Sequence, residues 1–414
     1  MPPSRKQEKA LLMGLQKPKI KREAALLSLE ELTSLAHTSG LAVMQTIFAE
    51  LRQITPATFM GEGKAKEIAD LVVTNKYDVV VVDAELAPYQ NRNLTELWKV
   101  KVVDRTQIIL DIFALHAKSR EGKLQVELAQ YEYLYPRLVG AWTHLSKQRG
   151  GGVGLRGPGE TQLEVDRRRV RERIHQLRKE LKTVTSSRKL HRQKREAVPM
   201  PVVTLIGYTN AGKSTLFNAL TESSVLAVDQ LFATLDPKTT KIRLPSGREV
   251  LLSDTVGFIR NLPHELVEAF HSTFEEVRYS DLLLHVIDVS SADWERQKEV
   301  VETVLRDLEL DEMHLINIFN KMDQLSDPPL GLDGIAISAQ KKQGMDHLLQ
   351  TLDEELSRKM TRSRIFLTHD QGNILSQYYR VGRVFSVKNE AKGTWVDVAL
   401  PKKFIMQNMS RKSC

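Results

Sequence analysis

The residues best suited to chemistry stand together at Gly207, Tyr208, Thr209, Asn210, Ala211, Gly212, Lys213 and Ser214. Their spacing is G-x-x-x-x-G-K-S, which in a strand–loop–helix context curls backbone N–H groups around phosphates. The N-terminus of the following helix adds partial positive charge. Lys213 is expected to reach β- and γ-phosphate oxygens, and Ser214 to offer its hydroxyl to Mg²⁺. The flanks suit the motif: Pro201–Ile206 reads as an apolar strand and Thr215–Leu220 as an amphipathic helix.

Three further stretches complete a nucleotide site. Lys241–Leu244 and Arg248–Ser253 predict a hairpin that ends in Asp254, Thr255, Val256 and Gly257. An Asp at the end of a buried strand suits a water-mediated hold on a metal, and the Gly257 N–H can sense a γ-phosphate. The mostly apolar run His314–Phe319 leads into Asn320, Lys321, Met322 and Asp323. A carboxylate at Asp323 accepts from both guanine N1–H and the N2 amino group, and adenine leaves those buried acceptors unpaired. Asn320 can brace the loop and approach the base's other edge, with the Lys321 stem over the ring. Ser338, Ala339 and Gln340 follow Ile337 and can present backbone N–H to the guanine oxygen. Between the first two motifs lie Phe232, Ala233, Thr234, Leu235 and Asp236, before Pro237. A hydroxyl there can complete the Mg²⁺ shell; Thr234 is the first choice, Thr239 and Thr240 its rivals. The ligand is thus GTP or GDP, and the expected catalytic groups are Lys213, Thr234 and Gly257.

These motifs need a positioning scaffold, and the chain organises into four regions. Residues 1–112 alternate helix and strand patterns. Ser28–His37 reads as a helix opened by a Ser28–Glu31 capping box, Tyr77–Asp83 and Val100–Asp104 as strands, and Arg105–Ala117 as a helix. That rhythm predicts a small α/β domain with a largely parallel sheet. Residues 113–197 carry a heptad seam at Leu124, Leu128, Tyr131, Tyr135, Leu138, Trp142 and Leu145, interrupted by Pro136, which should kink the helix. The seam resumes at Leu163, Val170, Ile174, Leu177, Leu181 and Val184, predicting a basic antiparallel helical hairpin. Arg167, Arg168, Arg169, Arg171 and Arg173 are expected on its outer faces. The joining loop, Arg149 to Glu160, holds six glycines. Its formal G-x-G-x-x-G lacks a preceding strand, so a dinucleotide site is rejected. The loop is either a flexible tip or a close approach to RNA backbone flanked by Lys147, Arg149 and Arg156. Leu190 to Met200 reads as a linker. Residues 198–359 form the nucleotide domain, a doubly wound, mostly parallel sheet. Residues 360–414 predict a small α+β appendage with strands Val381–Val387 and Thr394–Ala399 and a basic end at Lys402, Lys403, Arg411 and Lys412.

Composition narrows the classes. A chain of 414 residues, 41% hydrophobic and 27% charged, is an ordinary globular one. Its single cysteine, Cys414, excludes an internal disulfide and suits a reducing cytoplasm. No apolar run is long enough for a membrane span or a signal peptide. The net charge of +8 is uneven: residues 137–197 hold 17 Lys/Arg against 6 Asp/Glu. A local field of that size suits RNA as partner, or else a solvated helix face.

With these residues in view, the chain resembles the HflX family of ribosome-associated P-loop GTPases, a translation-factor-related class. The resemblance rests on Gly157-Pro-Gly-Glu-Thr-Gln-Leu-Glu164, Phe232-Ala-Thr-Leu-Asp-Pro237 and Asp254-Thr-Val-Gly-Phe-Ile-Arg260, and covers about Leu11 to Arg358. It implies that the N-terminal domain and hairpin engage the large ribosomal subunit, with Arg167 and Arg168 among the RNA contacts. It also implies that Ser214 and Thr234 hold Mg²⁺, and that the segments named above bind GTP. Gly61-Glu-Gly-Lys64 resembles a family stretch too, or simply caps an Ala65–Val73 helix. Phe258 stands where many GTPases carry a water-orienting glutamine, so slow hydrolysis accelerated by the ribosome is expected. The expected protein is a cytoplasmic monomer, acting in ribosome splitting, rescue, assembly or protein synthesis. An RNA-remodelling module whose affinity GTP merely tunes is the alternative. A peripheral membrane regulator is disfavoured, because the basic helices already use their seams for pairing.

Overall fold

The structure is a computed structural model and describes residues 7–141, 162–195, 200–221, 231–260, 277–327, 331–358 and 360–401. The chain divides into two compact units, one reaching Val184 and the other starting at Thr185.

The first unit opens with β1 (Lys9–Gln16), α1 (Arg22–Thr38), β2 (Ala42–Glu50), α2 (Glu62–Asn75), β3 (Val79–Val82), α3 (Pro88–Trp98), β4 (Lys101–Asp104) and α4 (Arg105–His116). The sheet runs β2-β1-β3-β4 and every pairing is parallel. Helices cover both faces, so the four valines of β3 are all buried. The helix expected from Ser28 starts at Arg22 instead. Its buried stripe begins at Ala25, so Ser28 lies inside the helix and no capping box forms there. The Glu31 carboxylate instead pairs with Arg105, which also donates to Asp83 at 2.9 Å.

The heptad positions form α5 (Arg120–Ala141), an unbroken helical run that includes Pro136, and α6 (Gln162–Arg195). Leu124, Leu128 and Leu177 form a buried cluster, with Tyr131, Ile174, Leu181 and Val184 against it. Asp104 pins α5 to the sheet. Its carboxylate accepts from Tyr133 Oη (2.7 Å), Arg137 Nη2 (3.0 Å) and the backbone N–H of Leu86 and Gln107 (3.2 and 2.9 Å). Trp142, Leu145, the glycine loop with Lys147, Arg149 and Arg156, and the basic end from Lys402 lie outside the described residues. The linker expected from Leu190 is helical to Arg195, because nothing in that basic stretch breaks α6.

The second unit contains β5 (Val202–Gly207), α7 (Lys213–Thr221), β6 (Lys238–Arg243), β7 (Glu249–Asp254), β8 (Leu282–Asp288), α8 (Trp294–Asp307), β9 (Leu315–Asn320), β10 (Ile335–Ala336) and α9 (Met345–Arg358). Sheet order is β10-β9-β8-β5-β7-β6, and β6 alone runs antiparallel, in the expected hairpin with β7. Parallel pairing brings the C-terminal residues of four strands to one edge: Gly207, Asp254, Asp288 and Asn320. Open α/β sheets bind ligands at that edge. Away from it, the fully buried Arg248 donates to the Asp353 carboxylate at 2.9 Å and to its carbonyl at 3.1 Å.

The chain ends in β11 (Met360–Leu367), α10 (Gly372–Val381), β12 (Arg383–Glu390) and β13 (Gly393–Pro401), an antiparallel sheet of order β11-β13-β12. Val381, expected to open a strand, ends α10: its side chain joins Tyr378 in the core against Val396, Val398 and Leu400.

Candidate active site

The loop after β5 is shaped by backbone that only small residues permit. Gly212 has φ +91°, and a Cβ there would lie 2.2 Å from Asn320 Nδ2. Gly257 is crowded too: a Cβ would sit 2.8 Å from Thr209 Cα and 3.0 Å from Lys213 Nζ. Thr209, Asn210, Lys213, Ser214, Thr234 and Gly257 line one cleft here. Lys213 Nζ donates to the carbonyls of Gly207 (3.1 Å) and Tyr208 (2.7 Å). Burial lowers the Lys213 pKa to about 8, against the opposing pull of Asp254.

Three segments meet beside that lysine. Ser214 Oγ lies 2.8 Å from Thr234 Oγ1 and donates to Asp254 Oδ2 at 2.9 Å. Burial raises the Asp254 pKa, while Lys213 and both hydroxyls pull it down. Its other oxygen, Oδ1, is buried without a hydrogen-bond partner. Hydroxyl and carboxylate oxygens with one acceptor in hand suit a hard cation such as Mg²⁺. Among the described residues, no group of three or more His, Cys, Asp or Glu side chains could hold a metal. A cation here would therefore draw on hydroxyls and on the nucleotide's own oxygens. The rival threonines sit in β6, where Thr239 Oγ1 faces Ser253 Oγ at 3.3 Å.

Phe258 does more than fill the glutamine position. Its N–H donates to the Gly207 carbonyl (3.0 Å) and its carbonyl accepts from the Thr209 N–H (2.7 Å). The ring is 1% exposed. The main chain after Asp254 is thus stitched to the phosphate loop on both sides of Tyr208, whose hydroxyl accepts from the Arg260 N–H. Tyr208, Phe232, Leu235 and Val256 are buried side chains, so these positions can offer a ligand mainly backbone.

On the base side, buried Asn320 joins two loops. Its Nδ2 donates to the Ala211 carbonyl and its Oδ1 accepts from the Ala339 N–H, both at 2.9 Å. Both ends of the amide are thus bonded to protein, as bracing requires. Lys321 adopts φ +64°, and its ammonium lies 2.7 Å from Asp288 Oδ2. Asp288, which the motifs did not single out, also accepts from the Ser290 N–H at 3.0 Å. The signal for it was an acidic stop to the apolar run Leu282–Ile287. Asp323 stands 3.9 Å from Lys341. Ser338 is buried, and its Oγ accepts from the Lys341 N–H.

The basic residues divide. Arg171 donates to Tyr135 Oη (2.6 Å) and Arg173 to Glu127 (2.7 Å), so these two turn toward α5 and not outward as expected. The Arg167 guanidinium is 6.0 Å from the Tyr135 ring centre. Arg168 is exposed, 3.8 Å from Glu172. Among the described residues, no helix is long and apolar enough to cross a membrane.

Known proteins match along the whole order of elements. The GTP-binding GTPase N-terminal model covers residues 27–114, the GTP-binding GTPase middle region 116–195, and the 50S ribosome-binding GTPase model 202–321. GTPase HflX of Magnetococcus marinus is 46% identical over 95% of this chain and 92% of its own length. GTPase HflX of Escherichia coli is also 46% identical, over 85% and 84%. A GTP-binding protein of Sulfolobus solfataricus, solved in complex with GDP, is 23% identical, with TM-score 0.44 over 85% of this chain and 99% of that one. On these two HflX relatives and its family models, the chain belongs to the HflX family of GTPases, in the ribosome-binding class of GTP-hydrolysing enzymes.

Proposed function

We propose that this GTPase works on the large ribosomal subunit, docking in its GTP form and leaving after hydrolysis. The reading is carried by one observation: Ser214, Thr234 and Asp254, from three separated segments, converge at 2.8 and 2.9 Å beside Lys213. Such a convergence makes the Thr234 and Asp254 segments answerable to whatever occupies the phosphate site.

In the proposed site the backbone from Gly207 to Ser214 wraps the phosphates, and Lys213 gives up its carbonyl partners to meet the β- and γ-oxygens. Ser214 and Thr234 would hold Mg²⁺, with Asp254 behind them. That ion would neutralise charge on the transferring phosphoryl group. The Gly257 N–H reports the γ-phosphate, Asp323 takes the guanine edge, and Ser338, Ala339 and Gln340 wall its far side. The buried ring of Phe258 cannot orient water, so hydrolysis alone is slow and a ribosomal surface speeds it. Arg167 and Arg168 on α6, with Lys147, Arg149 and Arg156, supply the RNA contacts, in the cytoplasm.

Co-sedimentation with purified large subunits, in GDP and in a non-hydrolysable GTP analogue, tests this together with single-turnover hydrolysis. Binding is expected with the analogue, release with GDP, and faster hydrolysis with subunits. Equal binding in both states, with no acceleration, would favour an RNA-remodelling module in which nucleotide only tunes affinity.

A further inference from the structure

The C-terminal sheet has two unlike faces. α10 covers one, packing Tyr378 and Val381 on Leu367, Val396, Val398 and Leu400. On the other face β11 sets Arg362, Arg364 and Phe366 at alternate positions, and the register places Arg364 opposite Asp397 and Phe366 opposite Trp395. On β12 a register shift between Val384 and Ser386 accompanies the turn of Phe385 onto this same face. The Phe385 ring is 44% exposed. The guanidiniums of Arg362 and Arg383 lie 4.3 and 5.4 Å from its centre. Arg364 lies 5.0 Å from the centre of Trp395, which is tilted against Phe366 with ring centres 5.2 Å apart. Lys388 stands opposite Trp395. Asp397 is interleaved among these cations, bound by Arg362 at 2.9 and 2.6 Å, and Glu390 follows Lys388 on the same face.

We propose that this face binds single-stranded RNA, with bases stacked on Phe385 and on the Phe366–Trp395 pair, and phosphates on Arg364, Arg383 and Lys388. The site is separate from the α6 contacts of the proposed function. Two features favour nucleic acid over a protein partner. First, guanidiniums stand at cation–π distance from the exposed Phe385 ring and the half-buried Trp395 ring, giving flat aromatic and guanidinium surfaces of the kind on which any nucleobase stacks. Second, four cations against two carboxylates, Asp397 and Glu390 at the end of β12, leave a positive excess across the plate, whereas the centre of a protein interface is depleted of charge. Antiparallel strands carrying exposed aromatics are also how sheet-based RNA binders splay single-stranded bases.

The test uses the full chain loaded with GDP and labelled ten-nucleotide oligouridine and oligoadenine, read by fluorescence anisotropy across a salt series. Phe385→Ala is expected to weaken binding by about tenfold with the salt slope unchanged, because stacking carries no counterion release. Arg364→Gln should reduce the slope by about 0.7 for one lost phosphate contact. Trp395→Phe, which keeps a ring, should bind as wild type. Photo-crosslinking with a 4-thiouridine oligonucleotide should label residues 383–397, and should still do so in an Arg167→Ala/Arg168→Ala variant, which separates this site from α6. Basal GTP hydrolysis should be untouched. Wild-type affinity and slope in Phe385→Ala/Arg364→Gln, or crosslinks confined to residues 162–195, would overturn the proposal. So would unchanged RNA binding in that double variant together with lost binding to ribosomal particles, which would identify a protein-docking face.

Discussion

Removing the Asn320 side chain tests whether that residue holds the site together or touches the base. In Asn320→Ala, the Ala211 carbonyl and the Ala339 N–H lose their partners at 2.9 Å. Both residues are buried, so water cannot readily replace the amide. A stranded buried group costs about 1–3 kcal/mol, and two give a midpoint of about 4 kcal/mol across the loops that Asn320 joins. Locally, release of the Ala339 amide should become easier by about 2 kcal/mol, a factor of about thirty in its exchange rate. Amide hydrogen exchange on nucleotide-free protein, read over residues 207–214 and 335–344, measures this without assuming that the multidomain chain unfolds in one step. GDP affinity should fall as well, since the site must be reassembled on binding. Weakened GDP binding with wild-type exchange in both segments would refute the bracing role and put Asn320 directly against the base.

Asp323→Asn should do the reverse, leaving exchange unchanged while guanine nucleotide affinity drops by roughly 2 kcal/mol and xanthine nucleotide binds better than GTP; unchanged GTP affinity would remove Asp323 from the site. Phe258→Ala deletes a fully buried ring and should lower stability by about 3–5 kcal/mol. Hydrolysis per folded molecule should then change by less than about tenfold, or ~1.4 kcal/mol in barrier, and a loss of about a hundredfold at wild-type affinity would make the ring part of the catalytic apparatus. Lys213 has a folded pKa of about 8, below its ordinary 10.5. The unfolded chain therefore holds more protons between those values, and the stability of the nucleotide-free protein should rise with pH across that window. A bound phosphate restores the charge, so GDP binding near pH 9 should take up a proton; calorimetry in buffers of different ionisation enthalpy that finds no uptake contradicts this. Asp353→Ala strands the buried Arg248 cation and should destabilise by about 3–5 kcal/mol in thermal or urea unfolding, whereas Arg248 and Asp353 replaced together by apolar residues should lose less.

The nucleotide site was the most legible part of the chain because its chemistry is local. Gly212 and Gly257 stand at fixed places within short motifs, and that shows as spacing, although the atoms that crowd them (Asn320, and Thr209 with Lys213) come from other segments. Sequence left three threonines open for the metal hydroxyl; the fold puts Thr234 beside Ser214 while strand pairing holds Thr239 and Thr240 in β6. Asp288 left no motif: its work on Lys321 depends on β8 lying beside β9, a contact made by folding. β1 was missed for another reason. Ala10–Leu15 is rich in leucine, methionine and alanine, which favour helix in isolation, and its central place between β2 and β3 overrides that preference. Periodicity found α5 and α6, but long arginines at Arg171 and Arg173 reach round to α5, so charge position on a wheel did not settle which way they face.

The sheet orders also bear on how the chain can be made. In the first unit β2 pairs with β1, β3 adds to the free side of β1, and β4 adds to β3. Every strand after the first thus finds its neighbour already synthesised, and Tyr133 and Arg137 then close on Asp104 before any of the nucleotide domain has emerged. In the second unit β6 is made before β7, its only neighbour in the sheet, and must wait for the hairpin to form. Emerging vectorially, the N-terminal domain can be complete while the nucleotide domain is still being translated, with β6 waiting unpaired for β7, as β11 and β12 later wait for β13.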